Sequence, residues 1–133
     1  MRQLEQLFKG LADQTRLRIL NLLLHGELCV CDIQFVLNSS QANVSRHLTY
    51  LKNSGLALDR REGVRIYYRL AQPTDGVPKQ LFTFLREAFR GSDVLEEDSR
   101  KLKKAIENGS CNATEWKPFS ALNRPRTAGS QRV

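Results

Sequence analysis

The spacing of apolar residues changes period within this chain, and that change restricts the fold more than any other feature. From Leu4 to Leu51 large apolar residues recur every three or four positions, whereas from Ala57 to Leu70 they recur every two. Helical spacing returns after Pro73 and Gly76. The chain is therefore expected to be mainly α with one β-hairpin.

The first helical segment carries Leu4, Leu7, Phe8 and Leu11 and is expected to break near Gly10. A second runs from about Asp13 to His25, with Leu17, Leu20 and Leu24 as its seam, Asp13 as N-cap and Gly26 as its stop. Ile33, Val36 and Leu37 predict a short third helix ended by Asn38-Ser39. A fourth starts at Ser40 as N-cap, buries Val44, Leu48 and Leu51, and stops at Ser54-Gly55. At 100° per residue Arg46 lies about 200° from Val44, on a side shared with Ala42, Ser45, Thr49 and Tyr50. Small polar groups around one arginine can approach base edges.

In the alternating segment Val64, Ile66, Tyr68 and Leu70 interleave with Arg65, Tyr67 and Arg69, and Glu62-Gly63 supplies the turn. Helices followed by a cationic hairpin give the order of a winged helix-turn-helix, whose recognition helix enters the major groove while the wing lies beside the backbone. A helix from about Pro78 to Phe89 carries Leu81, Phe82, Phe84, Leu85, Ala88 and Phe89 around most of its circumference. It is expected to be shared between the core and a homodimer interface, which makes the protein dimeric through its terminal helices. A last helix is expected from Ser92 or Asp93, with Glu96 placed for a capping box, to Asn108-Gly109. The expected organisation is a winged domain with dimerisation helices over 1–90, a C-terminal helix over 91–108, and a flexible basic tail over 109–133.

The formal charge is +7, and residues 39–70 supply +4 of it, six Lys or Arg (Arg46, Lys52, Arg60, Arg61, Arg65, Arg69) against Asp59 and Glu62. Clustering on one motif favours a polyanion, here double-stranded DNA. The N-terminus lacks the charged and apolar regions of a secretory signal, and no apolar run approaches bilayer length, so a cytoplasmic protein without membrane contact is expected. Three cysteines in a reducing compartment argue against a disulfide framework and leave metal binding or thiol chemistry.

Two of those cysteines stand one residue apart in Glu27-Leu28-Cys29-Val30-Cys31-Asp32-Ile33. With Cys29 as N-cap and Asp32 at N3, both thiols sit at the positive end of the third helix, where the thiolate is favoured. Residues two apart in a regular helix diverge by about 200°, so ion binding there should distort the first turn. With Asp32 as N-cap the pair instead lies side by side in extended chain, and a site would be preformed.

This string, the run Ser40-Gln41-Ala42-Asn43-Val44-Ser45-Arg46-His47-Leu48 and the hairpin Asp59 to Leu70 together resemble the ArsR family of metal-responsive repressors, over about residues 3–90. The second run is specific for DNA binding. The Glu-Leu-Cys-Val-Cys-Asp string is similar to the arsenite-responsive branch, which represses its own resistance operon and leaves DNA when As(III) or Sb(III) binds. The resemblance implies Cys29 and Cys31 as metalloid ligands and no organic cofactor. It implies DNA contacts from Ser40, Gln41, Asn43, Ser45, Arg46, His47 and Thr49, and from Arg60, Arg61 and Arg65 in the wing. Where arsenite sensors carry a third cysteine this chain has Gln34, which leaves Cys111 as the candidate third ligand. Zinc sensors of the family place Asp and His on the dimer helix, but residues 77–90 contain neither. His25 reads as a helix C-terminal cation and His47 as a flanking DNA contact or N–H donor.

The expected function is a homodimeric repressor induced by trivalent arsenic or antimony. The alternatives are a thiol redox switch and a winged-helix DNA binder without metal inducer. No nucleotide-binding glycine loop, oriented nucleophile or open catalytic metal set supports an enzyme.

Overall fold

A computed structural model describes residues 1–108. The elements are α1 (Arg2–Leu11), α2 (Gln14–Leu23), β1 (Leu28–Cys29), α3 (Val30–Leu37), α4 (Gln41–Asn53), β2 (Ala57–Glu62), β3 (Arg65–Leu70), a 3₁₀ turn (Pro73–Asp75), α5 (Leu81–Ala88) and α6 (Asp93–Glu107). This is a winged helix-turn-helix: α3 and α4 are joined by a left-handed Asn38, and β2 and β3 form the hairpin wing. The expected tail over 109–133 lies outside the described residues.

The helix-turn-helix forms because its punctuation is strong. Ser40 Oγ accepts the Asn43 N–H at 3.1 Å, and Asp13 caps α2 through the Arg16 N–H at 3.0 Å. Val44, Leu48 and Leu51 are fully buried against Leu20, Ile33 and Val36 in one core, as the spacing predicts.

Several expectations are corrected. The first helix does not break at Gly10 but runs through it to Leu11. A Cβ on Gly10 would stand 2.8 Å from Leu56 Cδ1 and Ser54 Oγ, so the glycine serves close helix packing. α2 has no narrow leucine seam: Ile19, Leu20, Asn21, Leu22 and Leu23 are all buried, because α4, α6 and the sheet pack around it. Beneath α6, Arg18, Asn21 and His25 form a polar row one helical turn apart. α5 begins at Leu81, not Pro78, and buries Phe82 and Leu85 while Phe84 stays exposed. In α6 the N-cap is Ser92, which accepts the Leu95 N–H at 3.3 Å, so Leu95 holds N3 and Glu96 falls one residue beyond a capping box.

The wing also differs from the expected alternation. Val64 sits exposed in the two-residue turn with Gly63, and Tyr67 is buried with Tyr68. The cause is a third strand. β1 pairs antiparallel with β3 in the order β1-β3-β2, which converts the free edge of the hairpin into the middle of a sheet. Two residues are too short to show a hydrophobic period. Among the described residues no helix is long and apolar enough to cross a membrane.

Candidate metalloid site and nucleic-acid interface

Cys29 is the last residue of β1 and the N-cap of α3, with φ −72° and ψ 147°. Cys31 is at N2 and Asp32 at N3, the first of the two expected arrangements. Because the N-cap backbone is extended, the side chains do not diverge as two helical residues would. Their Sγ atoms lie 3.1 Å apart. The expectation that an ion must distort the first turn is therefore corrected: the strand-to-helix transition has already brought the sulfurs together.

This pair is partly shielded. Cys29 is buried and Cys31 half-buried. The Cys29 side chain makes no capping hydrogen bond, so its sulfur is not committed to the helix end. In their reduced form the two sulfurs are soft donors at a helix N-terminus, a bidentate set suited to a thiol-seeking ion. Among the described residues no group of three or more His, Cys, Asp or Glu converges on one point. Cys111, the further thiol of the sequence, lies outside the described residues.

On α4, Gln41, Arg46 and Thr49 are exposed with Ser40, while Asn43, Ser45 and His47 are half-buried. Asn43 is an organiser. Its Nδ2 donates to Ser39 Oγ at 2.9 Å and its Oδ1 accepts from Arg46 Nη2, which holds the guanidinium over the first turn of α4. His47 Nδ1 lies 3.7 Å from Asp13 Oδ2, at the start of α2. Tyr50 carries the Arg16 guanidinium 3.9 Å above its ring, and Arg16 in turn donates to the Gly10 and Lys9 carbonyls at the end of α1.

The wing arginines are not equivalent. Arg61 and Arg65 are exposed. Arg60, expected beside them as a phosphate contact, is engaged by carboxylates: Nε and Nη2 donate to the two carboxylate oxygens of Glu27 at 2.8 and 2.7 Å, and Nη1 donates to Glu62 at 2.7 Å. Its guanidinium lies 4.5 Å from the Tyr67 ring centre. Two carboxylates offset its charge, which the sequence could not reveal because Glu27 is thirty-three residues away.

Burial holds both histidines below the ordinary imidazole value. For His25 burial is the cause, so it is not the helix-end cation expected; its Nε2 lies 2.9 Å from Ser99 Oγ. For His47 burial leads, Asp13 opposes, and Arg16 and Arg46 reinforce. A folded state that disfavours imidazolium binds fewer protons than the unfolded chain, so stability is present above about pH 6.5 and is lost as pH falls through the lowered folded values. Urea denaturation midpoints are expected to be lower at pH 5.5 than at 7.5. His25→Gln and His47→Gln should each reduce that difference, and an unchanged difference in both would disprove the assignment.

Comparison with known proteins places these features. A family model described as "Bacterial regulatory protein, arsR family" matches residues 13–57, from the cap of α2 to the first residue of β2. Over 86 residues the chain is 49% identical to the arsenical resistance operon repressor of Escherichia coli, a match covering 64% of this chain and 71% of that protein. Over 66 residues it is 50% identical to a Staphylococcus aureus cadmium resistance transcriptional regulatory protein homolog, covering 49% of this chain and 54% of the relative, little more than half its length. The solution structure of a homodimeric winged helix-turn-helix DNA-binding domain from Mycobacterium bovis, a possible ArsR-family regulator, superposes with a TM-score of 0.57 at 36% identity, covering 65% of this chain and 78% of that one. With the helix-turn-helix matched by the family model and with a relative of 49% identity covered to 71% of its length, the chain belongs to the ArsR family of bacterial transcriptional regulators.

Proposed function

We propose that this protein is a homodimeric repressor that releases operator DNA when As(III) or Sb(III) binds the thiolates of Cys29 and Cys31. The observation that carries the reading is the 3.1 Å approach of the two sulfurs at the N-terminus of α3, the helix that leads through the Asn38–Ser40 turn into the recognition helix. A relative named for arsenical resistance supports it, and one named for cadmium resistance makes Cd(II) the competing inducer. Dimerisation is supported by exposed Leu4 and Phe8 on α1 and Phe84 on α5, which leave apolar surface uncovered in a single subunit. Fluorescence anisotropy on promoter DNA, with As(III), Sb(III), Cd(II), Zn(II) and peroxide added separately, tests the reading. Release by trivalent arsenic and antimony at the lowest concentrations supports it; release by peroxide or cadmium alone replaces it.

Trivalent arsenic prefers three donors, and Cys111 is the further thiol available to supply the third. X-ray absorption on the arsenite complex reads this directly. A three-sulfur shell that becomes a two-sulfur shell in Cys111→Ser assigns it, whereas a shell unchanged by the substitution excludes it.

For the DNA face we assign Ser40, Gln41, Asn43, Ser45, Arg46, His47 and Thr49 to the groove, and Arg61 and Arg65 to phosphates. Arg46→Ala is expected to weaken specific binding by about 1 to 3 kcal/mol, the worth of a good base-edge contact, and to relax sequence preference. Neutralising Arg61 or Arg65 should instead lower affinity for all sequences and reduce the salt slope by about one each. Full operator preference in Arg46→Ala, read in a competition assay, would remove the arginine from the base-reading set.

A further inference from the structure

We propose that the Glu27–Arg60 ion pair is the latch through which ion binding at Cys29 and Cys31 reaches the wing. This rests on the metalloid reading above and concerns how that site is read out, not whether it exists.

Three observations meet at one place in the sheet. The register sets Cys29 opposite Tyr67 on β3, and Tyr67 opposite Arg60 on β2, so the three residues form one row across β1, β3 and β2. Directly opposed residues project from the same face. On that face Arg60 lies over the Tyr67 ring and reaches past it to Glu27, two residues before Cys29. The contact is bidentate, with both carboxylate oxygens engaged by two guanidinium nitrogens, the geometry that couples position most tightly. The third nitrogen holds Glu62 at the wing tip. A continuous set of strong contacts thus runs from the residue before the thiol strand to the end of the hairpin.

The thiol site itself supplies the motion. An ion with bonds to sulfur of about 2.3 Å, at angles between 90° and tetrahedral, holds two sulfurs about 3.3 to 3.8 Å apart. The pair stands at 3.1 Å. An ion bonded to both reduced sulfurs sets their separation, and the two residues move in different company: Cys31 is inside α3, which packs on α4 and α6, whereas Cys29 belongs to a two-residue strand. A strand held by so few backbone bonds yields before a packed helix does. Displacement of β1 therefore carries Glu27 against Arg60 and alters where the wing lies, which gives the two states different DNA affinity.

The test compares operator affinity with and without arsenite in the full chain, for the wild type and Glu27→Gln, a residue outside the DNA-contacting set. Arsenite binding is followed separately by its sulfur-to-arsenic absorbance. The wild type should lose affinity by a factor of about 5 to 150. Glu27→Gln is expected to bind arsenite as the wild type does and DNA at least as tightly, since it removes a negative charge beside the wing, yet to show an arsenite effect at least tenfold smaller, or none where the wild-type factor is below ten. Hydrogen exchange of the Arg60–Tyr67 amides should respond to arsenite in the wild type and not in the variant. Should circular dichroism show Glu27→Gln unfolded, Arg60→Lys replaces it, keeping the charge but losing the fork, and its arsenite effect should fall likewise. A folded Glu27→Gln, or in its place Arg60→Lys, that releases DNA by the wild-type factor overturns the latch alone. A wild type that arsenite does not release overturns the metalloid reading and the latch with it.

Discussion

Cys29→Ser and Cys31→Ser are each expected to bind operator DNA nearly as the wild type does and to lose release by arsenite entirely. Serine matches the size of cysteine but replaces a soft sulfur donor with a hard hydroxyl, and a bidentate set reduced to one sulfur cannot compete for trivalent arsenic. The position of each residue sharpens the expectation. Cys29 is an N-cap whose side chain makes no capping bond, and serine is among the best N-cap residues. Cys29→Ser should therefore gain about 0.5 to 1 kcal/mol in folding stability while losing induction, two effects of opposite benefit from one atom. Cys31, at N2 and half-buried, offers no such gain. Titrating arsenite into each protein–DNA complex, with thermal melts alongside, checks both. Release of either variant at the wild-type arsenite concentration would show that the pair is not the inducer site.

The exposed face of α4 was legible in the sequence because its signals are local. Ser40 and Gly55 bracket α4, and Val44, Leu48 and Leu51 repeat at helical spacing, so the buried side fixes the exposed one. The approach of the thiols was not legible. It depends on whether the N-cap is Cys29 or Asp32, which periodicity cannot decide, and on β1, which only pairing with β3 makes a strand. The latch was hidden for the same reason: Arg60 reads as one more wing cation until the fold brings Glu27 beside it. Gly10 misled in the opposite sense, since a glycine near a helix end resembles a stop when its real constraint is Leu56 and Ser54 lying against it. Local punctuation and period are written in neighbouring residues, whereas contacts between elements far apart in the chain are not.

The polar row beneath α6 carries the other large expected effect. Asp98 is 2% exposed, and both its oxygens accept from Arg18, at 2.8 and 2.9 Å. That hydrogen bond raises the Arg18 guanidinium further above its ordinary value, so the guanidinium stays charged across the accessible pH range. Asp98→Ala is expected to cost about 3 kcal/mol, near the lower end for breaking a buried pair, because Arg18 keeps some contact with solvent and can rehydrate in part. Replacing both partners with apolar residues, Arg18→Met with Asp98→Leu, should recover most of that loss, since it removes the orphaned charge as well as the bond. Urea denaturation at fixed protein concentration measures both, and the double-mutant cycle isolates the pairwise term. A loss under about 1 kcal/mol in Asp98→Ala would mean that α6 is held by its apolar stripe, Leu95, Leu102 and Ala105, without help from the pair. Because α6 also packs on α3, an Asp98→Ala protein that stays folded should hold the thiol helix less firmly, so less of the displacement forced by an ion would fall on β1. Weaker arsenite release in that variant, at unchanged arsenite affinity, is the expected functional mark of a loosened α6.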